Sequence, residues 1–184
     1  MKNIYLDTSI LISFLKSNDK YHKISKKIIN ANTFKRLGSP ITVLELTSVI
    51  SRQFNNLKFD TTNIKEWDKL NEQEKKSLII LYFLEKLPID FYACLGNEKI
   101  LLKNKDFNIQ IDFSRAYRIA PLFPLRTLDN LQIASALNIR DIRNIRIDYF
   151  ITIDKVILDL SKEIQKTVNL TIIDPETFMD IEHL

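Results

Sequence analysis

The sequence predicts an α/β fold on a mainly parallel sheet, because short apolar segments alternate with segments of helical periodicity. Residues 2–6 form an apolar run that predicts a buried strand ending at Asp7. The final third repeats this order, with a predicted strand over 149–153 that ends at Asp154 and a last strand over 170–173. A length of 184 residues is typical of one domain, expected over 1–184.

Helices are predicted where apolar residues recur three and four positions apart. In chain order they fall at residues 10–15, 20–30, 42–50, 72–86, 114–120, 127–138 and 156–166, with a short helix near Phe178. A short strand over 41–43 is expected after the break at Gly38–Pro40. The helix over 72–86 is predicted to have an apolar face made of Leu78, Ile79, Tyr82 and Phe83.

The middle of the chain departs from this alternation. Residues 52–70 are polar and carry few strand or helix signals before Ile64. Residues 98–113 alternate apolar and polar side chains around the turn-forming residues 104–106, which predicts a β-hairpin. A helix and a hairpin are therefore expected between two α/β portions.

The composition excludes chemistry based on clustered histidine or cysteine. The one cysteine, Cys94, and the two histidines leave no internal disulfide and no structural zinc site, which fits a reducing, cytoplasmic setting. With 27 Lys+Arg against 23 Asp+Glu the formal charge is +4, which permits a polyanionic partner but indicates one only weakly. No apolar run approaches the ~18 residues of a membrane helix, so no membrane association is expected.

Four acids occupy similar places in the predicted elements. Asp7 and Asp154 end strands, whereas Glu45 and Asp129 lie in the predicted first turns of helices. In a parallel α/β sheet the carboxyl ends of strands and the amino ends of the following helices share one edge. The four side chains can therefore converge on one cleft.

Converging carboxylates repel one another unless a cation compensates for their charge. Oxygen ligands without histidine or cysteine select Mg²⁺ or Mn²⁺, and such ions are suited to the attack of water on a phosphodiester. Thr8 and Ser9 follow Asp7, and Thr152 precedes Asp154 on the same side of its strand. These hydroxyls can orient a ligand or a water molecule.

Each acid also has a purely structural interpretation. Asp7 and Asp154 can cap the helices that follow them, and Glu45 can complete a capping box with Thr42. Asp129 favours the first turn of its helix through the helix dipole alone. The joint pattern of the four acids, rather than any one of them, favours a functional site.

The four motifs around these acids resemble those of the PIN-domain nucleases. The most specific piece is Thr127-Leu128-Asp129 with the alanine-rich helix through Ala136, and the next is Asp7-Thr8-Ser9. Glu45 after Ser39-Pro40-Ile41-Thr42, Ile151-Thr152-Ile153-Asp154 and the closing segment 170–178 also resemble the family. The resemblance covers about residues 2–50 and 112–180.

This resemblance implies a three-layer α/β/α sandwich and a metal-dependent endoribonuclease similar to the VapC toxins of toxin–antitoxin pairs. By this similarity Asp7, Glu45, Asp129 and Asp154 are expected to bind Mg²⁺ or Mn²⁺, with Thr152 as a supporting hydroxyl. The expected partners are an RNA substrate, a small protein antitoxin and a second copy of the chain. Arg126, directly before the acidic motif, and Ser9 are candidates to contact RNA phosphate.

The chain departs from the family between Glu45 and Asp129, where VapC toxins are usually shorter. We therefore expect an insertion at about residues 53–111, with its helix and hairpin added to a single PIN-like domain. Two alternatives to the toxin stay open. One is a PIN-domain nuclease of RNA processing, and the other is a non-cleaving module that binds RNA or protein.

Overall fold

The main sheet of the computed structural model, which describes residues 1–57 and 66–184, is parallel throughout. Its strands in spatial order are β3 (Asp90–Phe91), β2 (Phe34–Gly38), β1 (Lys2–Leu6), β6 (Tyr149–Ile151) and β7 (Ile172–Ile173). A separate antiparallel hairpin consists of β4 (Asn97–Leu102) and β5 (Lys105–Gln110). The predicted mainly parallel α/β class is confirmed.

Helices cover both faces of the sheet. They are α1 (Thr8–Leu15), α2 (His22–Asn30), α3 (Pro40–Gln53), α4 (Glu72–Lys86), α5 (Ile111–Ile119), α6 (Thr127–Ile142), α7 (Lys155–Asp159), α8 (Ser161–Val168) and α9 (Pro175–Glu182). One core lies mainly beneath α5, α6 and α8, and the other beneath α1–α4 and α9. The arrangement is the three-layer sandwich that the resemblance implied.

Strand β1 joins the two cores at the centre of the sheet. Its residues Ile4, Tyr5 and Leu6 are fully buried, with Tyr5 in one core and the other two in the opposite core. This alternation follows from the period of two along a strand. The Tyr5 ring stacks on that of Phe150 in the neighbouring β6, with ring centroids 5.1 Å apart. The strand predicted over 2–6 is confirmed.

The strand predicted over 41–43 is wrong, because those residues belong to helix α3 and the strand is β2. Ser39 caps α3 in a capping box with Thr42, and Pro40 occupies the first turn. Two adjacent cations made β2 look polar in the sequence. Arg36 donates to the carbonyl oxygens of Ala31 and Pro88, and Lys35 pairs with Asp90. Only the tertiary structure supplies these partners.

The hairpin forms, but it ends earlier than predicted. Lys103 and Asn104 have φ angles of 48° and 60° at the turn, as two-residue hairpin loops with positive φ require. Ile111, expected in the second strand with Phe113, instead begins α5, whose first turn is capped by the Gln110 side chain. The apolar residues that continued the strand pattern are helical.

Other predicted boundaries shift by a few residues. Helix α6 continues to Ile142, the strand expected over 149–153 stops at Ile151, and the strand expected over 170–173 is the short β7. The helix expected over 156–166 is divided into α7 and α8 at Leu160. Helix α4 has the predicted bounds, but Leu78 and Tyr82 from its predicted apolar face are each 37% exposed, whereas Ile79 is buried.

The segment 53–111 contributes to the main body as well as to the hairpin. Ile79 of α4 and Ile89 beside β3 pack in the same core as Ile4. Short 3₁₀ turns flank residues 58–65, which lie outside the described residues together with the predicted signals near Ile64. One domain with an insertion stays a prediction. None of the helices in the described ranges is long and apolar enough to cross a membrane.

The last helix is an integral part of one core, and we expect Phe178→Ala to destabilise the fold by about 3–5 kcal/mol. Phe178 is fully buried, and its ring meets those of Phe34 and Tyr149 at centroid distances of 5.0 and 5.7 Å. Urea denaturation measures the change in the free energy of unfolding. The matched control is Ile181→Ala on the same helix, where the side chain is 49% exposed. Equal losses in the two variants would contradict the packing.

Candidate active site

The structure brings the four predicted acids to the carboxyl edge of the sheet. Asp7 follows β1 and Asp154 follows β6, the strand paired with β1, and the Asp7 amide donates to Ile151 O at 3.0 Å. Asp129 lies in the first turn of α6. Glu45 lies on α3 after β2, one turn further along the helix than predicted because α3 begins at Pro40. Burial is the main cause that raises the pKa of Asp129, and the charges of the other three acids raise it further.

Two hydroxyls hold the carboxylate of Asp7. Its Oδ2 accepts from Ser9 Oγ and from Thr152 Oγ1, each at 2.6 Å, and Thr152 Oγ1 also accepts the Asp154 amide at 3.0 Å. Burial raises the pKa of Asp7, and the two hydroxyl hydrogen bonds oppose that rise. Because the Ser9 hydroxyl donates its proton to Asp7, that proton is not free to bind an RNA phosphate in this structure.

Helix capping accounts for one acid of the four. Asp154 Oδ1 accepts the Val156 amide at 2.8 Å at the start of α7. The Asp7 side chain makes no capping hydrogen bond to α1, and the capping box of α3 uses Thr42 and Ser39 instead of Glu45. Glu45 Oε2 accepts from Thr8 Oγ1 and from Gln132 Nε2, each at 2.7 Å. Its position reflects the cleft rather than the helix end.

Asp129 is an acid of this group whose charge is poorly compensated. Burial is the largest cause that raises its pKa to about 6, followed by the charges of Asp154, Asp7 and Glu45, while Arg126 lowers it. Its Oδ2 is buried with no hydrogen-bond partner. A buried acceptor without a donor, next to three acids, is where a cation would remove an electrostatic cost.

The donor set fits a hard divalent cation. All four acids offer carboxylate oxygens, the ligands that Mg²⁺ and Mn²⁺ prefer. Across residues 1–57 and 66–184, however, no three acidic, histidine or cysteine side chains are close enough together to hold a metal ion as they stand. The acids therefore share one electrostatic environment without being gathered into a coordination shell.

Arg126, the arginine expected to contact RNA phosphate, lies near Asp129, and its charge lowers the pKa of that acid. It is exposed at the N-cap of α6, and the described residues offer it no ion pair. Arg140 binds Asp141 and the carbonyl oxygens of Val168 and Asn169, and Arg143 binds Ala93 O. The contacts of Arg140 and Arg143 lie elsewhere, whereas the charge of Arg126 acts on Asp129.

Gln132 is the site residue that sequence reasoning missed. It contacts Glu45 and Thr8 directly, although neither its type nor a motif singled it out. The available signal was its spacing, because a residue three positions after Asp129 lies on the same face of a helix.

The comparisons with known proteins agree with this architecture. The PIN domain family matches residues 4–163, and the chain belongs to that family. No curated protein sequence matches the chain. The resemblance stated from the four acidic motifs is confirmed.

Solved VapC structures are similar in fold. VapBC-1 from nontypeable Haemophilus influenzae is 17% identical, with a TM-score of 0.50 over 95% of this chain and 98% of the other. Mycobacterium tuberculosis VapC20, described as a sarcin-ricin loop cleaving toxin, is 10% identical, with a TM-score of 0.50 over 83% and 90%. VapBC2 from Rickettsia felis, bound to a promoter DNA fragment, is 14% identical, with a TM-score of 0.49 over 94% and 98%.

The charge of Asp129 is expected to destabilise the metal-free protein, and the full effect should be reached above about pH 6. The pKa of Asp129 is about 6 in the folded protein and 3.8 ordinarily. Between these two pH values Asp129 therefore keeps its proton in the folded protein and loses it in the unfolded chain. The free energy of unfolding therefore falls as the pH rises from about 4 to about 6. Asp129→Asn removes the buried negative charge together with its repulsion by the other acids, and we expect it to stabilise the protein by about 1 kcal/mol at pH 8 after allowance for solvent screening.

Urea denaturation of both proteins in EDTA at pH 8 and pH 5 measures this difference. At pH 5 the gain should shrink, since Asp129 is then mostly protonated in the folded wild type. The control is Asp180→Asn, an exposed acid on α9. A gain from Asp129→Asn that is equal at the two pH values would contradict the account.

Proposed function

We propose that this protein is a Mg²⁺- or Mn²⁺-dependent endoribonuclease that hydrolyses RNA phosphodiester bonds at the four-acid cleft. The observation that carries the proposal is the buried, unpartnered Oδ2 of Asp129 among three further carboxylates. Membership of the PIN domain family supports a nuclease. RNA as the substrate is supported by the likeness of fold to a toxin described as cleaving the sarcin-ricin loop.

In this proposal Asp7, Glu45, Asp129 and Asp154 hold the metal, which when bound stabilises developing charge on the phosphate and lowers the pKa of a water nucleophile. Thr152 fixes Asp7 through the 2.6 Å hydrogen bond and also receives the Asp154 amide, so it couples two of the acids. Ser9 holds the same Asp7 oxygen. Attack of water leaves a 3′-hydroxyl and a 5′-phosphate.

We further infer a role as the toxin of a VapBC-type pair, silenced by a small protein antitoxin in the cytoplasm. A neighbour of the same fold was solved as a VapBC complex. Large apolar side chains are exposed on several elements of the chain from α4 to the start of α6. They are Leu78, Leu81, Tyr82, Leu95, Leu101, Phe107, Phe113, Tyr117 and Leu122. Exposed apolar side chains are common in protein interfaces, so these elements are candidates to bind an antitoxin or a second copy of the chain.

The alternative functions lead to different observations. A small upstream reading frame for a DNA-binding antitoxin favours the toxin, and its absence favours an RNA-processing nuclease. RNA binding that needs no Mg²⁺ and survives Asp7→Asn would favour a non-cleaving module.

Cleavage should require both the metal and the acids. With structured and single-stranded RNAs in Mg²⁺ or Mn²⁺, we expect cleavage by the wild type and none in EDTA. Asp7→Asn and Asp129→Asn should each reduce the rate by more than about 100-fold, beyond the usual loss from a supporting residue of a metal site. Asp180→Asn on α9 is the matched control and should cleave normally. Cleavage that survives EDTA or both site substitutions would refute the assignment.

Arg126 should contribute to RNA binding rather than to the chemical step. Its exposed guanidinium lies beside Asp129 with no competing ion pair among the described residues, so it is free to contact a phosphate. We expect Arg126→Ala to raise KM several-fold with kcat nearly unchanged, and to lower the salt slope of binding by about one. Arg126→Lys should retain that slope. Arg146→Ala, at the opposite edge of the sheet, is the control, and equal effects there would exclude a local role.

A further inference from the structure

Gln132 is a buried amide whose hydrogen-bonding capacity is fully used. It lies one turn after Asp129 on α6 and is 1% exposed. A primary amide has two N–H donors and an oxygen that accepts twice, and such groups are costly to bury without partners. Each of these four positions has a partner in the described structure.

The amide oxygen is held by two hydroxyls from the framework. Tyr5 donates to Gln132 Oε1 at 2.6 Å, and Thr42 Oγ1 donates to it at 3.1 Å. Tyr5 is fully buried on the central strand, and its hydroxyl also lies 2.8 Å from Ser39 Oγ. The oxygen end of the amide is therefore fixed to β1 and α3.

The amide nitrogen forms a triangle with Glu45 and Thr8. Gln132 Nε2 donates to Glu45 Oε2 at 2.7 Å and to Thr8 Oγ1 at 2.8 Å. Thr8 Oγ1 donates in turn to the same Glu45 oxygen at 2.7 Å. One oxygen of the Glu45 carboxylate thus accepts two hydrogen bonds, one from α1 and one from α6.

Only one orientation of the amide satisfies all these contacts. A flipped amide would place its oxygen against the Glu45 carboxylate, acceptor facing acceptor. The charge of Glu45 and the hydroxyl of Tyr5 therefore select the same orientation from opposite ends. The Glu45 side chain is only partly buried on α3. Hydrogen bonds that run from the buried Tyr5 through Gln132 restrict its rotation.

We propose that Gln132 is a positioning residue that orients Glu45 toward the metal through the Tyr5–Gln132–Glu45 connection. The inference rests on the proposed function and assigns a specific role to a residue outside the four acids. Groups that orient a metal ligand are expected to tune metal affinity without binding the ion themselves.

The test is the affinity of the 184-residue chain for Mn²⁺, measured by isothermal titration calorimetry, together with the thermal unfolding midpoint. Gln132→Met retains the length of the side chain and removes all its hydrogen bonds. Asn138→Ser is the matched control, because Asn138 is a buried amide on the same helix that binds Asp112 at 2.6 Å, outside the cleft. Glu45→Gln serves as the reference for losing the ligand.

We expect Gln132→Met to weaken Mn²⁺ binding by about 10- to 100-fold. Asn138→Ser should leave the dissociation constant within about twofold of the wild type, a difference much smaller than that of a hydrogen bond to a charged group. Both variants should lower the unfolding midpoint, so stability alone cannot produce the difference. Tyr5→Phe keeps the ring stacked on Phe150 and removes one donor to Gln132, and it should weaken binding by about two- to tenfold.

Four results would overturn the inference, and they separate its failure from that of the proposed function. Normal Mn²⁺ affinity in Gln132→Met, with weakened binding in Glu45→Gln, would reject the positioning role alone. If Gln132→Met does not fold, normal affinity in Tyr5→Phe would likewise reject that role. A wild type that binds no Mn²⁺, or a Glu45→Gln variant that binds it normally, would reject the metal site and the positioning role together.

Discussion

Repulsion among four carboxylates at one edge of the sheet is the constraint on which the arrangement of the site depends. Burial and the charges of Asp7, Glu45 and Asp154 raise the pKa of Asp129 to about 6. Hydrogen-bond donors fix the carboxylates of Asp7, Glu45 and Asp154, so these side chains stay near Asp129 instead of turning toward solvent. Such local cost is characteristic of functional sites, where a ligand rather than the fold supplies the compensation.

Two well-buried elements, β1 and α6, position the acids despite this repulsion. Strand β1 is fully buried from Ile4 to Leu6 and ends directly at Asp7. Helix α6 is buried at every residue from Asn130 to Ile139 and presents Asp129 and Gln132 from its first two turns. Sites on well-packed strands and helices hold their groups more accurately than sites on loops. Both elements bring their acids to the carboxyl edge of the sheet.

Local patterns were enough to predict this edge but not its hydrogen bonds. The strand before Asp7 and the alanine-rich helix that contains Asp129 could be predicted because each has a simple pattern of apolar residues along the sequence. Strand β2 was missed because Lys35 and Arg36 find their partners only in the folded chain. Gln132 was missed for the same reason, since its contacts with Tyr5 and Glu45 span 127 and 87 positions of sequence.

The most direct test of the account is a crystal structure grown with Mn²⁺, with anomalous diffraction used to locate the metal. We expect an anomalous peak within coordination distance of carboxylate oxygens from the four acids, and the Asp129 Oδ2 that now lacks a partner should be among the ligands. The amide of Gln132 should still contact Glu45 in that structure. A fully occupied peak elsewhere with the cleft empty, at a metal concentration that supports activity, would contradict the central claim.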